Sequence, residues 1–156
     1  MNVLDALCGE HAVLRLMVDD LSRRIHEYDV QTLRATVRQF EAALISHAEI
    51  EDDLLFGRLS PSHAGIARSL TAMNGEHKLI SDKLSHLFDA EAAGIVPRYR
   101  KLAELVLEHF AVEERVLFPM AATMVSSVAL DELGREWARR RCVDLPDDIN
   151  RGPGHS

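Results

Sequence analysis

Long hydrophobic runs are missing from this chain, and a bilayer-spanning helix needs about 20 consecutive apolar residues. Cysteine is nearly absent. Cys8 and Cys142 are the only two, which excludes a disulfide framework and suits a reducing cytoplasm. Aromatic residues make up 5% and β-branched runs are few, so a sandwich or barrel is disfavoured. Positive charge is in deficit: 18 Lys and Arg face 25 Asp and Glu, for a net charge of −7. Such a surface does not suit nucleic acid or anionic membranes as partners. The opening residues MNVLDALCGEH have neither a basic start nor a clean apolar stretch, so no signal peptide is expected. There is no G-x-S-x-G, no phosphate-binding glycine loop and no dinucleotide fingerprint, which leaves nucleophilic and nucleotide chemistry unsupported. Histidine, by contrast, is abundant: eight in 156 residues. That length is one ordinary domain, able to bury a core without staples.

Apolar residues recur at steps of three and four along four stretches. The first runs through Leu4, Leu7, His11, Leu14, Val18, Leu21 and Ile25. The second runs through Leu33, Val37, Phe40, Leu44, His47, Glu51 and Leu54. The third has Ile66, Leu70, Met73, His77, Ile80, Leu84 and Leu87. The fourth has Tyr99, Leu102, Val106, His109, Glu113, Val116 and Met120. Each is the seam of a helix packed in a bundle. Breaks are expected at Tyr28-Asp29, at Ser60-Pro61 as an N-cap with first-turn proline, and at Gly94 and Pro97. Pro119 is expected to end or kink the fourth helix. The predicted fold is all-α: an up-down-up-down four-helix bundle over residues 1–125. Residues 126–156 form a short C-terminal fifth helix, Ser127 to Arg141, and a flexible tail. Leu130, Leu133 and Trp137 mark the fifth helix's apolar face, and Arg139-Arg140-Arg141 would suit its C-terminal dipole.

The seams carry the wrong chemistry for a core. His11, His47, His77 and His109 fall on them, one per helix, and so do Glu51 and Glu113. One seam histidine is ordinarily a hydrogen-bonded core residue. Six such groups are different, because each unpaired buried carboxylate costs several kcal/mol. Metal ions resolve the conflict: imidazoles supply nitrogen, and carboxylates bridge and neutralise a pair of cations. His47 and Glu51 are four apart, as are His109 and Glu113, so each pair leaves one helix face. The chain also repeats itself. Gly9-Glu10-His11 returns as Gly75-Glu76-His77, and H-x3-E-x3-L-F occurs at His47–Phe56 and at His109–Phe118. A duplicated helical hairpin gives two half-sites about one centre, an argument for two metals.

These motifs resemble the hemerythrin-like, or HHE cation-binding, family over about residues 3–123. They are Glu10-His11, His47 to Glu51, Glu76-His77, and His109 to Glu113-Glu114 with Leu117-Phe118-Pro119. The resemblance implies two iron ions, Fe2+ or Fe3+, with His11 and His47 on one and His77 and His109 on the other. Glu51 and Glu113 would bridge them, beside an oxo or hydroxo bridge that leaves each iron about five-coordinate. Where oxygen-carrying hemerythrins have a fifth histidine, one turn before the helix-three ligand, this chain has Met73. The carriers' fourth-helix aspartate is also spaced one residue further than Glu113. These departures argue against simple reversible oxygen carriage.

The resemblance points to a cytoplasmic protein that binds or reacts with O2, peroxide or NO. Whether it turns over is left open. The alternative is an iron sensor or store, or an iron donor of the iron–sulfur repair type, without turnover. A structural zinc bundle stands last, because zinc prefers four ligands. The expected partner is a small molecule, with no nucleic acid and no membrane, and the chain is a monomer or weak homodimer. Cys8 reads as a small apolar filler and Met73 as a core packer that shapes the pocket. His26, His63, His86 and His155 read as solvated. Tyr28 and Tyr99 read as packing residues rather than phenolate ligands. Glu10, Glu76 and Glu114 read equally as partners of the ligands or as surface charges.

Overall fold

The computed structural model describes residues 1–59, 64–89 and 92–145, and every regular element among them is helical. Helix α1 spans Val3–Arg24, α2 Val30–Leu54, α3 Ala64–Ser85, α4 Ala92–Val112, α5 Phe118–Met124 and α6 Ser127–Arg140. Local chemistry sets the starts. The Asn2 side chain accepts from the backbone of Leu4 and Asp5, while Asp5 takes the Asn2 N–H, so a capping box opens α1. Asp29 caps α2 through the Thr32 N–H, and Ser126 caps α6 through the Ala129 N–H. The expected cap at Ser60-Pro61, His63, and the tail beyond residue 145 with His155 lie outside the described residues. No single helix among the described residues is long and apolar enough to cross a membrane.

Two proline expectations are corrected. Gly94 and Pro97 do not separate the third and fourth helices; both lie inside α4, and the chain turns earlier, through the short tight helix Leu87–Asp89. Pro97 keeps a helical φ, and the single hydrogen bond it forgoes is close to the helix start. Buried Ile95 and Tyr99 on either side hold that turn to the core. Nor does the helix stop at Pro119. After Val112 it widens into a π turn, Glu113–Leu117, where the Phe118 N–H bonds the Glu113 carbonyl, and then resumes as α5 with Pro119 in its first turn. The extra residue rotates everything downstream. Val116, expected in the core, is 47% exposed, while Leu117, Phe118 and Ala121 are buried in its place. The first three seams lie inward as read, with Leu4, Leu70 and His77 only partly covered.

Helices α1 to α4 touch in a closed ring, each against its two neighbours, and α6 packs on α1 and α2. The core has two apolar clusters. One gathers Leu14, Val18, Phe40, Leu44, Ile80, Tyr99 and Phe110; the other gathers Val3, Leu7, Ile50, Met73, Leu117 and Leu133. On every helix the seam histidine falls between a residue of one cluster and a residue of the other, so the polar groups form a layer across the middle of the bundle.

Helix α6 approaches the chain's start through Gly134. A Cβ there would lie 2.4 Å from the Met1 carbonyl oxygen and 2.9 Å from the Asn2 carbonyl carbon. Both are backbone atoms, so the contact cannot be relieved by a rotamer change. Gly134→Ala is expected to destabilise the fold by about 1–3 kcal/mol, the usual cost of overpacking, measured as a lower unfolding midpoint in denaturant.

Candidate metal centre

Three of the six seam groups arrive on α1, α2 and α3 as regular helical positions, and the other three come from α2 and the α4–π junction. His11, His47, Glu51, His109 and Glu113 are at most 2% exposed, and the His77 side chain is 11% exposed. The imidazoles of His11 and His47 meet with their Nε2 atoms 3.0 Å apart. Glu113 Oε2 lies 3.3 Å from His11 Nε2, and its other oxygen lies 3.0 Å from His109 Nε2 and 3.7 Å from His77 Nε2. Glu51 Oε2 lies 3.7 Å from His77 Nε2 and 3.9 Å from His47 Nε2. Two triads of donor atoms result, His11–His47–Glu113 and His77–His109–Glu113, with Glu113 common to both. Glu51 completes neither triad but faces a histidine of each.

Both oxygens of Glu51, both of Glu113 and the Nε2 atoms of His77 and His109 are buried with no hydrogen-bond partner. Buried polar atoms are almost always satisfied. Six orphaned atoms turned toward one centre, all of types that ligate metals, fit the binding of metal cations. Burial and the adjacent Glu113 charge hold Glu51 well above the usual carboxylate range. Burial opposes ionisation of Glu113 too, but the facing imidazoles of His109, His11 and His77 outweigh it and hold its carboxyl low. His77 is pushed up to about 9: burial disfavours its charge, and Asp52 and Glu113 outweigh that.

The outward nitrogens are also paired, each with a carboxylate from a neighbouring helix. Glu10 on α1 accepts from His47 Nδ1 at 2.7 Å, Glu76 on α3 from His109 Nδ1 at 2.8 Å, and Glu114 from His11 Nδ1 at 2.9 Å. Asp52 stands 3.3 Å from His77 Nδ1 as an ion pair. The pattern runs α1 to α2, α2 to α3, α3 to α4 and back to α1. Such partners fix a ligating histidine's ring and tautomer. Glu10, Glu76 and Glu114 therefore act as partners of the seam histidines. Asp52 was missed, although the repeat holds the signal: Glu51-Asp52 aligns with Glu113-Glu114. The Leu-Phe of the repeat gains a role as well. Phe118 stacks on His11 with ring centroids 5.6 Å apart, and Phe56 stacks on His77 at 6.0 Å.

Residues weighed from sequence also find their places. Met73 is buried in the apolar cluster beside the layer. Cys8, expected as a filler, is exposed because it projects from the outer face of α1. The Tyr99 hydroxyl donates to the Val18 carbonyl at 2.9 Å, away from the site, and Tyr28 packs on the core edge. His26 and His86 are exposed. Arg139 and Arg140 remain at the end of α6, but Arg141 turns inward. It donates to Glu10 at 2.6 Å and to the Ser46 hydroxyl and carbonyl. Trp137 Nε1 donates to the same Glu10 oxygen at 2.8 Å.

Glu10 gives the site a pH signature. Partial burial works against its charge, but His47, Arg141 and Trp137 together lower its pKa from 4.5 to about 2. A depressed carboxylate stabilises the fold above its unfolded pKa and loses that contribution as pH falls toward the folded value. Glu10→Gln should therefore lower the thermal midpoint at pH 6. The gap from the parent protein should close as pH falls from about 4.5 toward 2, as followed by circular dichroism.

Comparison with known proteins agrees with this geometry. A DNA nickase of Nostoc sp. (strain PCC 7120 / SAG 25.82 / UTEX 2576) is 25% identical over 139 residues, covering 88% of this chain and 37% of that protein. An exocyst complex component 3-like protein of Mus musculus is 32% identical over 140 residues, covering 83% of this chain and 18% of that protein. The chain thus spans well under half the length of either relative. No solved structure matches it. The family model of the hemerythrin HHE cation-binding domain matches residues 2–121, the stretch that carries all four seam histidines and both seam glutamates, and this chain belongs to that family.

Proposed function

We propose that the layer holds two iron ions and that the protein binds or reacts with a small oxidant or diatomic ligand: O2, peroxide or NO. His11 and His47 would hold one ion and His77 and His109 the other, with Glu51 and Glu113 shared between them. The observation that carries this reading is the set of orphaned, buried donor atoms from four helices facing one centre. Nitrogen and carboxylate donors in this number suit iron better than a single four-coordinate zinc. Bound there, the iron pair would supply redox chemistry and open coordination positions.

The protein's own groups define how that chemistry is confined. The outer carboxylates orient the imidazoles. Phe110 stacks on His11 with centroids 4.2 Å apart and, with Phe118, keeps water from that side. A cavity of about 190 Å³ between α2 and α3, walled by Leu44, Ile80 and Leu84, reaches His47, His77 and His109. Its size and apolar walls suit a diatomic molecule or peroxide. Each helix in turn crosses from one apolar cluster to the other in the opposite sense to its predecessor, which supports an up-down-up-down order. A net charge of −7 supports a protein without nucleic-acid or anionic-membrane partners, and its two cysteines suit a reducing cytoplasm.

The buried carboxylates also support the alternative of an iron sensor, store or donor without turnover, because a site strained without cations couples metal binding to folding. Protein loaded anaerobically with ferrous iron is expected to retain two ions per chain and to unfold at a higher temperature than the metal-free form. Mixing with O2, peroxide or NO should produce a new optical band. Two retained ions with no optical response to any of the three would favour the sensor or store. Glu113→Ala removes the carboxylate common to both triads, and retained iron should fall below two per chain. An unchanged two would remove Glu113 from the ligand set.

A further inference from the structure

The repeated hairpins are nearly symmetric in their ligands but not in what stands behind them. On one half, Arg15 grips Glu114 with two hydrogen bonds, Nη1 to Oε1 at 2.7 Å and Nη2 to Oε2 at 3.0 Å, and Glu114 braces His11. On the same half, Arg141 and Trp137 both donate to Glu10, which braces His47. Arg141 is itself fixed by Ser46 at 2.5 Å and 3.1 Å. On the other half, Asp52 and Glu76 brace His77 and His109, and no cationic side chain pairs with either carboxylate among the described residues. The sequence shows where the symmetry breaks. Arg15 lies four residues after His11, and the residue four after His77 is Ser81. Arg141 follows α6, which has no counterpart in the repeat.

This asymmetry has a definite electrostatic sign. A carboxylate that accepts a histidine Nδ1–H makes that imidazole a stronger donor to a metal. A guanidinium on the same carboxylate draws charge away from it through strong hydrogen bonds. The guanidinium also adds a positive charge beside one metal position. Both effects favour the lower metal charge there. Resting on the di-iron reading above, we infer that the His11–His47 position is the more easily reduced of the two. Arg15, Arg141 and Trp137 are the positioning residues that set the difference. An external one-electron donor, the electrode in the test below, would reduce the ferric ion held by His11 and His47 to ferrous and leave its neighbour ferric, with no proton or bond change. Metal affinity is a poorer readout, because fixing the ligands tightens binding while added positive charge weakens it.

The test is a spectroelectrochemical titration of the iron-loaded full chain, with electron paramagnetic resonance of the half-reduced state. The parent should reduce in two separate one-electron steps with a mixed-valence signal between them. Arg15→Gln and Arg141→Gln should each lower the upper step, changing the ferric-to-ferrous ratio at that position about tenfold at fixed potential, or about 59 mV. The lower step should move less, so the interval narrows and the mixed-valence signal shrinks. Arg141→Lys keeps the charge and should restore most of the interval. Trp137→Phe should give a smaller shift in the same direction. Arg140→Gln, whose guanidinium meets Asp53 and Glu136 among the described residues, should change neither step. Should Arg141→Gln fail to fold, Arg15→Gln and Trp137→Phe carry the test. A single two-electron step in the parent, equal movement of both steps, or an unmoved upper step would overturn the inference and leave the iron pair standing. A chain that retains no iron pair would overturn both.

Discussion

Two carboxylates enclosed between apolar layers repel one another in a medium that screens poorly, and neither can be solvated without opening the bundle. In this protein the problem is contained by four imidazoles that face Glu51 and Glu113 and by the raised pKa of Glu51. Much of the remaining structure follows from keeping those groups at one level. The seams must run in register so that the histidines coincide. The apolar clusters above and below must be complete so that water stays out. The outward nitrogens need partners that do not compete for the inward face, and Glu10, Asp52, Glu76 and Glu114 meet that need from the bundle's rim.

The fold was legible because its signal is repetitive. Seven seam positions per helix leave little freedom in assigning α1, α2 and α3, and the departure of histidines and glutamates from that apolar pattern marked the site. Legibility failed where one residue changes the phase. The π turn at Glu113–Leu117 preserves the spacing His109 to Glu113, so that His–Glu pair was readable, but it sends Val116 outward and Leu117 inward. Proline misled in the same way at Pro97 and Pro119, because a helix tolerates it near a start and sequence alone does not locate the start.

Residues behind the seam groups were harder to see for a different reason. Asp52 is adjacent to a seam residue and is identifiable only by aligning the two halves of the repeat. Arg141 and Trp137 come from α6, about 130 residues along the chain from the Glu10 they hold. No local pattern joins them. The C-terminal helix has an amphipathic face that accounts for its packing, and a basic end that matches its dipole, so its sequence gave no reason to look further. Only the fold shows that its last turn reaches the carboxylate behind a seam histidine.

The four bracing contacts form a closed circuit with a sense of rotation, two made inside a hairpin and two made between hairpins. Glu10 to His47 and Glu76 to His109 are internal; Asp52 to His77 and Glu114 to His11 cross from one hairpin to the other. A lone hairpin could make only the internal contact, leaving one histidine and one acid unclaimed, but two identical copies facing across a twofold axis would complete the circuit. Within one chain the two hairpins need not match, so a single arginine or an appended helix can act on one side alone.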